Sequence, residues 1–272
     1  MTRWRAWVLG MAMLLPGLPV AGHEYWIAPE AARLNPGDTL RARLFVGSDM
    51  VGQEFPWLKR SVTAAEIWSP SGAAPIAARE GDMPALTAEV TEYGLHRLTM
   101  HTTPNYVIFD DLAEFGRYLD YEGLDGVMAQ HQARGLPDKL FGEAYIRNAR
   151  ALVQVGDVVP GQVDAPTGMP FELVARGNPY VPGQGSIEVG LTWQGVAQAG
   201  VQVAVFRLAP GATAPEGVTR ELLRSDSQGL VRVSLAEPGQ YMVSAVRIEP
   251  VEESAAVVWQ SHWASLTFEI AR

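Results

Sequence analysis

The sequence predicts a mainly β protein: two antiparallel β-sandwich, immunoglobulin-like domains, the first carrying a helical insertion. Three observations carry this reading. Short apolar–polar alternations punctuated by Gly and Pro fill both halves of the chain. Helical apolar spacing appears in the middle, where Leu112, Phe115 and Leu119 are followed by Leu124, Val127 and Met128. A Pro- and Gly-bearing spacer, GQVDAPTGMP, separates two stretches of strand pattern and serves as a boundary near residues 167 and 168.

Taken in order, residues 1–22 read as a cleavable secretory signal: two arginines, an apolar run from Ala6 to Leu15, and small residues at Val20 and Gly22 before the cut. The run is about ten residues, half of what a membrane-spanning helix needs, so the mature chain is not expected to span a membrane. Cleavage after Gly22 makes His23 the first mature residue; cleavage after Ala21 competes. With 0 cysteines there is neither a lipid-attachment site nor a disulfide framework, and a soluble periplasmic protein results. Loss of Arg3 and Arg5 with the leader takes the formal charge from −9 to −11, which argues against nucleic acid.

Residues 23–167 form the first domain. LNPGDTLRARLFVGSD alternates behind an Asn-Pro-Gly-Asp turn, and AAEIWSPSG, LTAEVTEYG and LHRLTMHTT continue as short strands. The helical insertion covers about 110–150, with Asp110 and Asp111 suited to a helix start and KLFGEAYIRNARALVQVG read as a second helix running into a strand. Residues 168–272 return to strands, from FELVARGNP to SHWASLTFEIAR, and form the second sandwich.

An N-terminal His offers its α-amine and a ring nitrogen to one divalent ion, because the two donors close a small chelate ring. His23 is therefore the first metal candidate, with copper a serious competitor on general affinity. His96, His101 and His262 are the remaining candidates, and His131 in the helical segment comes last. His96 and His101 have opposite strand parity, so only one of them can share a face with His23, while Glu24 points away from it. Tyr25, Trp26, Trp57, Trp68, Trp193, Trp259 and Trp263 are expected in cores or interfaces rather than on a glycan-stacking platform. The chain has no HExxH, GxxxxGK[ST] or GxSxG pattern, and no enzyme activity or organic cofactor is predicted.

Several segments resemble one family: HEYWIAP, LNPGDTLRARLFVG, YLDYEGLDGVMAQHQARG, YIRNARALVQVG and WQSHWASLTFEI resemble DUF4198, the NikM-like or CbiK-like periplasmic component associated with nickel and cobalt uptake. The resemblance implies a mature start at the His of a HDFW-like segment, here HEYW, a nickel or cobalt cargo, and a metal-uptake transporter in the cell envelope as partner. QGVAQAGVQVAVFRL, SDSQGLVRVSL and PGQYMVSAVRI separately resemble the carboxypeptidase-regulatory-like, transthyretin-type sandwich. The alternative from another class is a scaffold without metal, binding a partner protein or an envelope glycan.

Overall fold

The computed structural model describes residues 23–252 and 257–271; the expected leader and its cleavage point lie outside the described residues. The first half of the chain contributes β1 (Glu24–Pro29), β2 (Arg33–Leu34), β3 (Thr39–Ser48), β4 (Val51–Phe55), β5 (Val62–Ser69), β6 (Gly72–Pro75), β7 (Leu86–Glu89), β8 (Gly94–Thr102) and β9 (Asn105–Phe109). Two helices follow, α1 (Leu112–Glu122) and α2 (Val127–Ala133), and then β10 (Phe141–Val155). The second half adds β11 (Phe171–Ala175), β12 (Ser186–Trp193), β13 (Val196–Ala197), β14 (Gln202–Leu208), β15 (Val218–Arg224), β16 (Leu230–Ser234), β17 (Gly239–Pro250) and β18 (Val257–Ile270). The protein is mainly β, with open sheets.

One ten-stranded sheet runs through both halves in the order β15-β14-β17-β18-β10-β8-β5-β6, with β2 and β9 also on β10. Pairing among the described residues is antiparallel except at β10–β18 and β10–β2. The parallel β10–β18 seam departs from the expected all-antiparallel pattern, because its two strands lie far apart in sequence and meet through a long crossover rather than a hairpin.

Neighbouring residues of β10 feed different cores. Ala149, Ala151 and Val153 pack with Ile27, Leu40 and Leu44 of the small sheet β1-β3-β4, whereas Leu152 packs with Leu173, Val189 and Val231 of the small sheet β11-β12-β13 and its branch β16. Side chains alternate along a strand, so the two small sheets cover opposite faces of the central one.

Helix occupies less of the middle segment than expected. Asp111 caps α1 by accepting from the Glu114 amide at 2.8 Å, and Glu114 Oε2 accepts in return from the Asp110 amide at 2.8 Å. Gly123 ends α1 at φ 66°, with the Gln202 side chain packed where a Cβ would stand. Residues 141–150, expected as helix running into strand, are strand throughout: β18 on one side and β8 and β9 on the other supply pairing that overrides local helix propensity. Among the described residues no helix is long and apolar enough to cross a membrane.

Candidate cavity at the start of the chain

β10 sends Glu143, Tyr145 and Arg147 to the same face at period two, and that face meets His23 and Tyr25 at the start of β1. Together with Met100 and Thr102 of β8, Val107 and Phe109 of β9 and the loop from Phe55 to Ser61, they enclose a cavity of about 360 Å³. That volume lies in the range of small-molecule sites. Its walls are largely apolar, and its charged groups are few.

His23 is half-buried at this cavity. Its Nδ1 lies 3.0 Å from Ser48 Oγ, and its carbonyl accepts from an Arg147 Nη2 at 3.2 Å. Burial, and then the nearby guanidinium, pull the imidazole below its ordinary pKa, so the ring is neutral at neutral pH. Arg147 stacks its guanidinium on Tyr145, 4.5 Å from the ring centroid, and lies 5.5 Å from the Tyr25 centroid. Its Nε is buried without a partner, and it forms no ion pair among the described residues. Burial pulls the guanidinium below its usual range, although an arginine stays charged.

Glu143 is almost wholly buried. Its Oε1 accepts from Ser261 Oγ and, at 3.3 Å, from Tyr118 OH, while Oε2 has no partner. Desolvation pushes this carboxyl up to about 7 against those two hydrogen bonds. It does not neutralise Arg147: four residues of strand separate the two by about 13 Å, with Tyr145 between them.

The four candidate histidines do not converge. His96 faces the cavity side of the sheet with Leu98 and Met100 but sits six residues along β8 from Thr102, about 20 Å, and donates through Nδ1 to Gly94 O at 3.1 Å. His101 lies on the opposite face, its Nδ1 2.8 Å from Asn148 Oδ1. His262 shares that face, packs its ring 4.4 Å from Trp193, and is lowered to about 4 by burial, then Arg247, then His101. His131 is fully enclosed, with Nε2 donating to Pro137 O at 2.9 Å and Nδ1 accepting from Trp259 Nε1 at 3.1 Å. Among the described residues no group of three or more His, Cys, Asp or Glu is placed to hold a metal. Strand parity put His96 and His101 on opposite faces, as the sequence indicated; it turned Glu24 away from His23 toward Tyr121, Glu122 and Arg220, where burial pushes its carboxyl up to about 7.

Sequence reading missed Glu143, Tyr145 and Arg147. Their signal was the i, i+2, i+4 spacing in FGEAYIRNARALVQV, hidden while the segment was taken for helix. Tyr25, Trp26, Trp57, Trp259 and Trp263 are buried and Trp68 and Trp193 half-buried, so these aromatics form no exposed stacking platform.

The family described as "Domain of unknown function (DUF4198)" matches residues 20–249. Comparison with curated proteins finds no match. Among solved structures, the D0-D1 domain of intimin aligns over 90% of this chain and 97% of its own, at 11% identity and a TM-score of 0.21. A Salmonella alpha-2-macroglobulin mutant aligns over 93% of this chain and 15% of its own, at 14% identity and a TM-score of 0.24. Dimeric latent PorU from Porphyromonas gingivalis aligns over 97% and 21%, at 10% identity and a TM-score of 0.19. Likenesses this weak bear on neither fold nor function.

Proposed function

This chain belongs to the DUF4198 family, and from that premise we propose that it is an exported, non-catalytic periplasmic protein that captures a divalent transition metal at His23 and supports its uptake. Nickel and cobalt are the cargo the family resemblance implies, and copper competes for the same nitrogen donors. In this reading the layered halves are immunoglobulin-like sandwiches, the second of the carboxypeptidase-regulatory type, and the partner is an uptake transporter in the envelope.

The observation that carries the reading is the state of His23: a neutral imidazole at a cavity, its ring engaged among the described residues only with the exchangeable Ser48 hydroxyl. A neutral ring binds a metal without first losing a proton. With the leader removed after Gly22, the α-amine joins Nδ1 in a chelate. His101 and His262 face the other side of the sheet, so remaining positions fall to water or a co-ligand. Native mass spectrometry of untagged periplasmic protein tests this: one bound nickel, cobalt or copper ion on a chain starting at His23, absent from His23→Ala, supports it. A parent chain that takes up none of the three sinks it.

A scaffold reading draws on a different observation. Tyr106 and Ile108 are 67% and 63% exposed on β9, whose strand partner is β10, and Leu140, just before β10, is 74% exposed. An apolar edge of this kind is a surface for another protein. Tyr106→Lys with Ile108→Lys abolishes capture of such a partner and leaves metal uptake intact; His23→Ala does the reverse.

A further inference from the structure

We propose that the His23–Arg147 cavity binds a small organic acid, a carboxylate head on an apolar body, with the head seated on the Arg147 guanidinium. This goes beyond metal capture and does not depend on it.

The argument starts from charge. A guanidinium taken out of water is costly unless something pairs with it, and Arg147 has Tyr25 and Tyr145, one carbonyl and the more distant charge of Glu24, but among the described residues no carboxylate at ion-pair distance. Its side chain is half-buried and lines the cavity, and among the described residues it forms no ion pair. An arginine presents its donors as a planar fork that matches the two oxygens of a carboxylate. The missing acceptor therefore has the shape of a carboxylate head.

Size and wall chemistry set the rest of the ligand. A volume of about 360 Å³ far exceeds an inorganic anion and suits an organic molecule of fragment size. Leu44, Val46, Phe55, Met100 and Phe109 offer that molecule apolar walls. Glu143 stands at the other end of the polar strip, where its carboxyl opposes a second negative charge, and the lining's other cation, Arg60, is exposed on the loop after β4. One carboxylate and an apolar body are what this lining accepts. Binding also bears on His23: an anion on Arg147 cancels the positive field that opposes a cation beside it.

Isothermal titration of the mature chain with 3-phenylpropionate, in metal-free buffer, tests the proposal against two controls, the matched neutral alcohol 3-phenylpropanol and inorganic phosphate. The acid binds saturably and at least tenfold more tightly than the alcohol. Arg147→Gln, shown folded by its circular dichroism and melting profile, loses that preference; Arg147→Lys keeps part of it. The proposal is overturned if the acid does not bind, if folded Arg147→Gln binds it as the parent does, or if phosphate binds more tightly than the acid.

Discussion

Arg147 and Arg150 stand three residues apart on β10 and face opposite sides of the same sheet, and the protein balances their charges in opposite ways. Arg150, fully buried, donates through Nη1 to Asp164 Oδ1 at 2.6 Å and to Ala165 O at 2.9 Å, and through Nη2 to Thr167 Oγ1 at 3.0 Å and to Glu172. Asp164 also takes Arg97 Nε at 2.6 Å, so two arginines and two carboxylates close a neutral network. Arg147 has tyrosine faces and a backbone carbonyl instead. Both keep a buried Nε without a partner, so the difference lies in the ion pairs: one side of the strand spends its charge on joining the spacer 161–170 to the central sheet, and the other sets a guanidinium without an ion pair at the wall of a cavity.

The largest effect follows from breaking the closed side. Arg150→Met leaves Glu172 buried without its cation and Asp164 with Arg97 alone, and destabilises the fold by about 3–5 kcal/mol, measured by urea or thermal unfolding. A loss below about 1 kcal/mol would show that the network is not neutralised through Arg150.

Next comes Glu143, on the cavity side of the strand, where Tyr118 and Ser261 face its carboxyl and Glu122, itself raised well above its ordinary value by burial, lies within its field. Its folded pKa of about 7 lies above the ordinary 4.5, so the folded chain keeps a proton that the unfolded chain has released. Stability is therefore greatest below about 4.5 on account of this group, falls as pH rises through about 7, and is flat above. His262 works in the opposite sense: its folded value of about 4 lies below 6.5, so its contribution rises from about pH 4 to 6.5. The difference between Glu143→Gln and the parent isolates the carboxyl, and the variant is more stable at pH 8 by on the order of 3 kcal/mol. Parallel pH profiles for the two proteins would contradict a buried, raised carboxyl.

The smallest effect sharpens the comparison. Arg147→Met removes a charge that forms no ion pair among the described residues, exchanging one carbonyl hydrogen bond and a tyrosine face for apolar packing, so stability changes by no more than about 1 kcal/mol. A loss as large as that of Arg150→Met would mean that Arg147 is structural.

The strand runs outside the insertion, the turn chemistry and the helix start at Asp111 were legible in the sequence, because alternation, Gly and Pro placement and capping are local signals. The parity of His96, His101 and Glu24 was legible for the same reason. β10 was not: Glu, Ala, Arg and Leu favour helix in isolation, and only pairing with β18, β8 and β9 makes FGEAYIRNARALVQV a strand. With that strand went Glu143, Tyr145 and Arg147. The spacer was legible as a break in the strand pattern, but the role of its Asp164 depends on Arg97 and Arg150, which reach it from two other strands.

The central claim is that Arg147 stands at the cavity without an ion pair while Arg150 is paired with Asp164 and Glu172, and side-chain NMR reads both at once. In the mature chain labelled at arginine, the Arg147 Nε–Hε resonance moves and saturates as 3-phenylpropionate is added, while that of Arg150 stays in place. An Arg147 resonance that does not move at saturating acid, or one that moves no more than that of Arg150, would contradict it.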